Sequence, residues 1–171
     1  MTFQNLSVDP AALPDISDAT YHEHPLRYRS KKVLVATLVF TLLLSGPAVV
    51  FFTSPLWIAS LALGFWLLLF LFSLLVIFRE FPKRAYALRE RDITYRKGWV
   101  FHSITSVPFN RIQHSEINQG PLDRSFNLAS LNIYTAGGSS SDLTIPGLPH
   151  EEAVRLREYV ARKSAVDDAT N

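Results

Sequence analysis

Cysteine is absent from this chain of 171 residues, and charged residues are scarce at 19%. The first absence excludes disulfide bonds, thiolate metal ligands and cysteine nucleophiles. The scarcity of charged residues is concentrated in one block, because residues 33–78 contain no Asp, Glu, Lys, Arg or His over 46 consecutive positions. A soluble domain carries roughly 25% charged residues, and the polar residues left here are too few to cover so long an apolar block. The sequence therefore excludes a wholly soluble globule.

The apolar block divides into two predicted membrane spans, residues 33–52 and 56–78. At about 1.5 Å per residue, helices of these lengths reach roughly 30 and 34 Å, close to the ~30 Å hydrocarbon core of a bilayer. Pro55 suits the first turn of the second helix, where a missing N–H is no loss. Gly46-Pro47 predicts a kink in the first helix. Neither span carries an ionisable group, which favours an anchor over a channel.

Basic residues flank the apolar block on both sides. The net charge is −4 over residues 1–24, +6 over residues 25–84 and zero over residues 85–171. The positive-inside rule then predicts a multi-pass protein of the plasma membrane with both termini in the cytoplasm. The excess charge lies outside the remaining domain, which disfavours a nucleic-acid partner. The topology-determining residues are Arg27, Arg29, Lys31, Lys32, Arg79, Lys83 and Arg84.

Residues 1–26, ahead of the first span, contain three prolines and no sustained apolar period. We therefore expect an irregular segment. His22-Glu23-His24 superficially resembles a metal-binding cluster. Three adjacent side chains point in different directions in any regular structure, and no distal pair of ligands matches them. We expect no metal here.

Residues 85–163 are predicted to form short antiparallel strands, because apolar residues alternate in runs separated by turn residues. Trp99, Phe101, Val107 and Phe109 all occupy odd positions and are predicted to share one face of an extended run. Residues 111–118 read as another strand, in which broken alternation predicts a β-bulge. Gly137-Gly138 is expected to be a turn and not a phosphate-binding loop.

The chain then changes to a helical period. Pro149, Glu151 and Glu152 are helix-start signals. Ala153, Leu156 and Val160 form one apolar stripe at helical spacing, which predicts an amphipathic helix packed on the strands. We expect residues 164–171 to be a frayed tail.

Three segments of this domain carry a recognisable pattern. Residues 108–113 read Pro-Phe-Asn-Arg-Ile-Gln, residues 119–124 read Gln-Gly-Pro-Leu-Asp-Arg, and residues 131–138 read Leu-Asn-Ile-Tyr-Thr-Ala-Gly-Gly. Together they resemble the bacterial pleckstrin-homology (bPH) family, and the two-span anchor is similar to the YdbS-like membrane proteins of that family. The resemblance covers residues 22–163. Its family motif comprises Pro108, Phe109, Arg111, Ile112 and Gln113.

The resemblance implies an α+β fold: a two-helix transmembrane hairpin over residues 27–84, then a small PH-like antiparallel barrel or sandwich over residues 85–163, capped by a C-terminal helix. The sequence departs from the family pattern after Arg124, where Ser125-Phe126-Asn127 replaces the usual glycine. The resemblance also implies an envelope-related role, in which relatives are often found beside a larger paralogue with several such domains.

No catalytic motif stands out. His102-Ser103 and His114-Ser115 place histidine beside serine, but neighbours on a strand face opposite sides. We therefore expect no enzymatic activity and no cofactor. The leading hypothesis is an interaction module that binds a membrane protein partner, with a homo-oligomer left open. The alternative is weak recognition of anionic lipid head groups in the bilayer, for which the lipid-facing candidates are Arg89, Arg91, Arg96 and Lys97. A second alternative is a membrane-embedded enzyme, a hydrolase or transferase, which would need buried paired acid and base groups.

Overall fold

A computed structural model describes residues 19–136 and 141–169, and the described part of the chain is an α+β protein. Two long apolar helical segments precede two antiparallel sheets and a C-terminal helix, as predicted. The helices are α1 Leu26–Leu43, α2 Ser45–Thr53, α3 Leu56–Glu80, α4 Pro121–Ser125 and α5 His150–Ala169. The strands are β1 His22–Glu23, β2 Ala85–Leu88, β3 Asp92–Lys97, β4 Ser103–Pro108, β5 Ile112–Asn118, β6 Leu128–Thr135 and β7 Leu143–Pro149.

The apolar segments are long enough to cross a membrane. Leu26–Thr53 and Leu56–Lys83 each extend over 28 residues, and their most apolar windows bury nothing inside the molecule. A single residue, Leu44, separates α1 from α2, three residues before Pro47, which has no N–H to donate. The kink predicted at Gly46-Pro47 stays a prediction. Pro55 caps α3 and does not lie in its first turn, a one-residue correction.

The segment before the hairpin needs a larger correction. Residues 1–18 of the expected irregular stretch lie outside the described residues. The remainder is ordered, because His22 and Glu23 form a strand that pairs with β2, and α1 begins at Leu26 directly after Pro25. The hairpin is therefore inserted between two paired strands of one sheet, ordered β1-β2-β3-β4, while β5-β6-β7 form the second sheet.

The core lies between the two sheets and α5. Phe109, Ile93 and Leu131 are fully buried. The predicted apolar stripe of α5 is confirmed, since Ala153, Leu156 and Val160 are all buried, and the predicted bulge is confirmed as a register shift at the start of β5. The helix continues to Ala169, so residues 164–169 are helical and not frayed. They contain no Gly or Pro that would end the helix.

The predicted apolar face from Trp99 to Phe109 is wrong in its first half. Val107 and Phe109 are buried, but Phe101 is 89% exposed. Strand β3 ends before Gly98, whose φ of +104° is a left-handed conformation that favours glycine. The pleat is thereby interrupted, and residues 98–102 form a loop between β3 and β4. The predicted turn at 137–140 lies outside the described residues.

Candidate functional site

The base of the helical hairpin packs directly on the sheets. Tyr28 of α1, Phe81 after α3 and Leu128 of β6 form a buried cluster, with ring centroids of Tyr28 and Phe81 6.4 Å apart. Tyr28 lies against Gly147 of β7, which has a φ of +73°. We call this contact region, together with His24, the junction.

Several of the residues predicted to determine topology form ion pairs at or beside the junction. Lys31 Nζ lies 2.5 Å from Asp123 Oδ1, so α1 is bonded to α4. Lys32 Nζ and Arg84 Nη2 lie 3.4 and 2.5 Å from opposite oxygens of Glu80. Lys31 therefore joins the hairpin to α4, whereas Lys32 and Arg84 both pair with Glu80 inside the hairpin itself.

His24 is a buried titratable group of the junction. Its ring is 5% exposed and lies between Tyr28 and Tyr95, with centroids 5.3 and 5.8 Å away. Within the described part of the chain, neither ring nitrogen makes a hydrogen bond of good geometry. Burial first, and then the positive charges of Arg84 and Lys32, lower its pKa to about 4, although the backbone of Gly147 acts in the opposite direction. The ring is therefore neutral at pH 7.

Replacing Gly147 by alanine tests how tightly the junction is packed. A Cβ at this position would lie 2.3 Å from the Tyr28 ring, and the positive φ is strained for any other residue. We expect a loss of about 2 kcal/mol in the free energy of unfolding. Thermal unfolding of the full-length protein in detergent measures this loss. Gly120→Ala is the matched control, because its Cβ would meet nothing closer than 3.4 Å. Equal melting temperatures for the two variants would show that the junction is loose.

The four lipid-facing candidates do not form one cluster. Ala85 pairs with Arg96 and Leu88 with Ile93, so β3 runs from the far end of the β2–β3 hairpin to the end nearest α3. Arg96 and Lys97 lie at the near end, where the Arg96 guanidinium stacks 4.0 Å from the centroid of Tyr21. Arg89 and Arg91 lie in the opposite turn, where Arg89 pairs with Asp92 at 3.0 Å.

The family motif contributes mainly to packing. Phe109 and Ile112 enter the core, where the Phe109 ring lies 5.9 Å from that of Tyr159. Pro108, Arg111 and Gln113 are exposed at the corner between the sheets. The position that departs from the family pattern is Asn127, which adopts a positive φ of 50° in place of glycine and thereby keeps the turn after α4.

A groove separates β5 from α5. Strand β5 pairs with β6 only, so its other edge carries no strand within the described ranges. The groove has a volume of about 440 Å³. It is lined by Ile112, Gln113, His114, Ser115, Arg157, Val160, Ala161 and Ser164. Sequence reasoning missed this groove, because nothing in the alternation of β5 shows which edge lacks a neighbour.

The histidine–serine pairs assemble no catalytic group. The His114 ring stacks on Tyr134 at 4.3 Å and lies 3.9 Å from Glu116, while His102 is exposed in the β3–β4 loop. Among the side chains of residues 19–136 and 141–165, no group of three or more acidic or histidine residues is placed to hold a metal.

Comparisons with known proteins relate the chain to one family and to two individual proteins. Residues 31–164 match the family described as the bacterial PH domain. The chain is 29% identical over 143 residues to the UPF0699 transmembrane protein YdbS of Bacillus subtilis (strain 168), covering 82% of this chain and 88% of that protein. A crystal structure of a DUF1696 family protein with a pleckstrin-homology domain from Shewanella loihica PV-4 superposes with a TM-score of 0.37 and 18% identity, covering 47% of this chain and 70% of that one.

Proposed function

Because the chain belongs to the bacterial PH domain family, we propose that it is a membrane-anchored, non-enzymatic module that binds another membrane protein in an envelope-related complex. The observation that carries the proposal is the edge of β5 beside α5, which pairs with no strand among the described residues. An unpaired strand edge can accept an extended segment through main-chain hydrogen bonds, and side chains of the groove then give specificity. The partner segment proposed here is an extended cytoplasmic stretch of a second membrane protein.

The short connection between anchor and domain supports a membrane protein as the partner. Only the turn Phe81–Lys83 and Arg84 separate α3 from β2. With both helical segments in the plasma membrane and both termini in the cytoplasm, the domain is confined to the inner surface. Because both proteins are confined to the same membrane, their association is effectively intramolecular. Even a low affinity of the groove for the partner segment is then enough for binding. A larger paralogue with several PH-like domains is the partner we propose first.

Filling the groove tests the proposal. Ala161→Trp places a large ring in the groove, and we expect it to reduce the yield of the cross-linked partner at least about tenfold, equivalent to roughly 1.4 kcal/mol. The measurement is in-cell crosslinking of tagged full-length protein, followed by mass spectrometric identification. Glu158→Trp is the matched control, since Glu158 lies on the same helix but borders a different cleft, beside β2.

The outcomes separate the candidates. Equal partner yields from Ala161→Trp and Glu158→Trp would reject the groove as the binding site. Capture of this chain alone in every sample would replace the proposed partner with a homo-oligomer. Capture of no protein at all would favour the alternative function, recognition of anionic lipid. That alternative is supported by a cleft of about 310 Å³ whose lining includes Lys83, Arg96 and Lys97 and no acidic residue.

A further inference from the structure

The loop between β3 and β4 exposes an apolar tip. Val100 and Phe101 are 68% and 89% exposed, and Ile104 at the start of β4 is 54% exposed. The loop conformation that exposes them requires glycine at position 98, because a Cβ there would lie 1.8 Å from the carbonyl oxygen of Phe101. Such a clash is with backbone and cannot be relieved by a side-chain rotation. We call residues 98–102 the tip loop.

The tip loop lies beside the end of the apolar hairpin. The Arg79 guanidinium stacks over the Trp99 ring, 5.9 Å from its centroid. Arg79 is the residue directly after Phe78, where the charge-free block ends. Trp99 is thus at the level at which α3 would leave the hydrocarbon, and aromatic side chains such as Trp favour that interface. A binding partner of the tip loop must therefore lie at the level of the membrane at which α3 leaves the hydrocarbon.

The surroundings of the tip loop suit a membrane surface. The adjacent cleft is lined by Pro82, Lys83, Arg96, Lys97, His102, Ser103 and Ile104. An apolar tip with basic side chains beside it matches the composition of segments that lie in the boundary between head groups and acyl chains. A protein partner on the β5 groove would leave this loop exposed, because the two surfaces share no lining residue.

We propose that the tip loop inserts Val100 and Phe101 into the lipid leaflet that faces the domain. The ligand is the bilayer itself: acyl chains for the tip, and head groups for Lys83, Arg96 and Lys97. The loop is then a further membrane attachment beside the two helical segments, and it fixes the tilt of the domain against the leaflet. This inference rests on the membrane anchoring proposed above and is independent of the protein partner.

The absence of cysteine allows a site-directed test in the full-length protein. A nitroxide label is attached to Phe101→Cys, Val100→Cys or Glu90→Cys in vesicles of phosphatidylethanolamine and phosphatidylglycerol. Power saturation then compares its collisions with oxygen and with an aqueous nickel chelate. We expect the labels at 100 and 101 to lie about 5–10 Å below the head groups. Glu90 is exposed in the turn at the opposite end of β3, and its label should report water.

Two further labels control this test. A label at His102→Cys lies in the tip loop but keeps the native Val100 and Phe101 side chains. It should become more accessible to nickel when Val100 and Phe101 are replaced by serine. A label at Leu67→Cys, within α3, reports on the anchor. Equal nickel accessibility at residues 90, 100 and 101, with a lipid signal at 67, would overturn the insertion alone. A water signal at 67 would overturn the anchoring and the insertion together.

Discussion

Replacing Phe109 by alanine is expected to lower the free energy of unfolding of the PH-like domain by about 3–5 kcal/mol. Phe109 is fully buried between the sheets and α5, and its ring packs edge-on against Tyr159. Truncation removes the burial of the ring and leaves a cavity that the surrounding β-sheets fill only partly. For a domain of this size, a loss of this magnitude lowers the melting temperature by more than about 10 °C.

Phe101→Ala is the matched control for this variant. It deletes the same atoms from a side chain that is 89% exposed, and we expect a change within about 0.5 kcal/mol. Both variants are measured by thermal unfolding of the full-length protein in detergent, where no bilayer contacts the tip loop. Similar melting temperatures for the two would mean that Phe109 does not lie in a packed core.

These two phenylalanines also show the limit of sequence reasoning for this fold. Strict alternation places Phe101 and Phe109 on one face, and it is correct only from β4 onward. The turn at Gly98 ends β3, and β4 begins as a new strand after the loop. An alternation pattern read from the sequence continues through such a turn as if the strand were unbroken. Helical periodicity was more reliable, because α5 contains no such interruption and its buried stripe is the predicted one.

The junction could not be predicted from the sequence, for a reason other than the interrupted strand. Its contacts join residues far apart along the chain, such as Tyr28 with Gly147 and Lys31 with Asp123. No local pattern predicts pairs at this separation. The positive-inside rule identified Lys31 as a topology signal, and the structure adds that the same charge bonds the hairpin to α4. One basic side chain thus has a structural role in addition to its predicted orienting role.

The position of the hairpin makes the junction mechanically important. Because β1 precedes it and β2 follows it in the same sheet, both ends of the hairpin are fixed to adjacent strands. His24 lies in the short link between β1 and α1, and the groups that face it include Arg84, Lys32, Tyr28 and Tyr95. A charge on this ring would be placed among cations with no hydrogen-bond acceptor of good geometry.

Acidification is therefore expected to loosen the junction. The pKa of His24 is about 4 in the folded protein and 6.5 in the unfolded chain, so between these values the unfolded state binds more protons. The contribution of His24 to the free energy of unfolding is therefore fully present above pH 6.5 and decreases as the pH falls towards 4. The slope is at most about 1.4 kcal/mol per pH unit, and the total is about 3 kcal/mol.

His24→Phe keeps a ring between Tyr28 and Tyr95 but cannot be protonated. We expect the melting temperature of the wild-type protein to fall more steeply than that of His24→Phe between pH 7 and 4. The difference between the two curves isolates the contribution of His24 from the contributions of all other titrating groups. His114→Phe is the matched control, because that ring is exposed on β5 and its replacement should preserve the wild-type slope. Parallel curves for the wild-type protein and His24→Phe would show that the ring is solvated, and the junction would then be open to water.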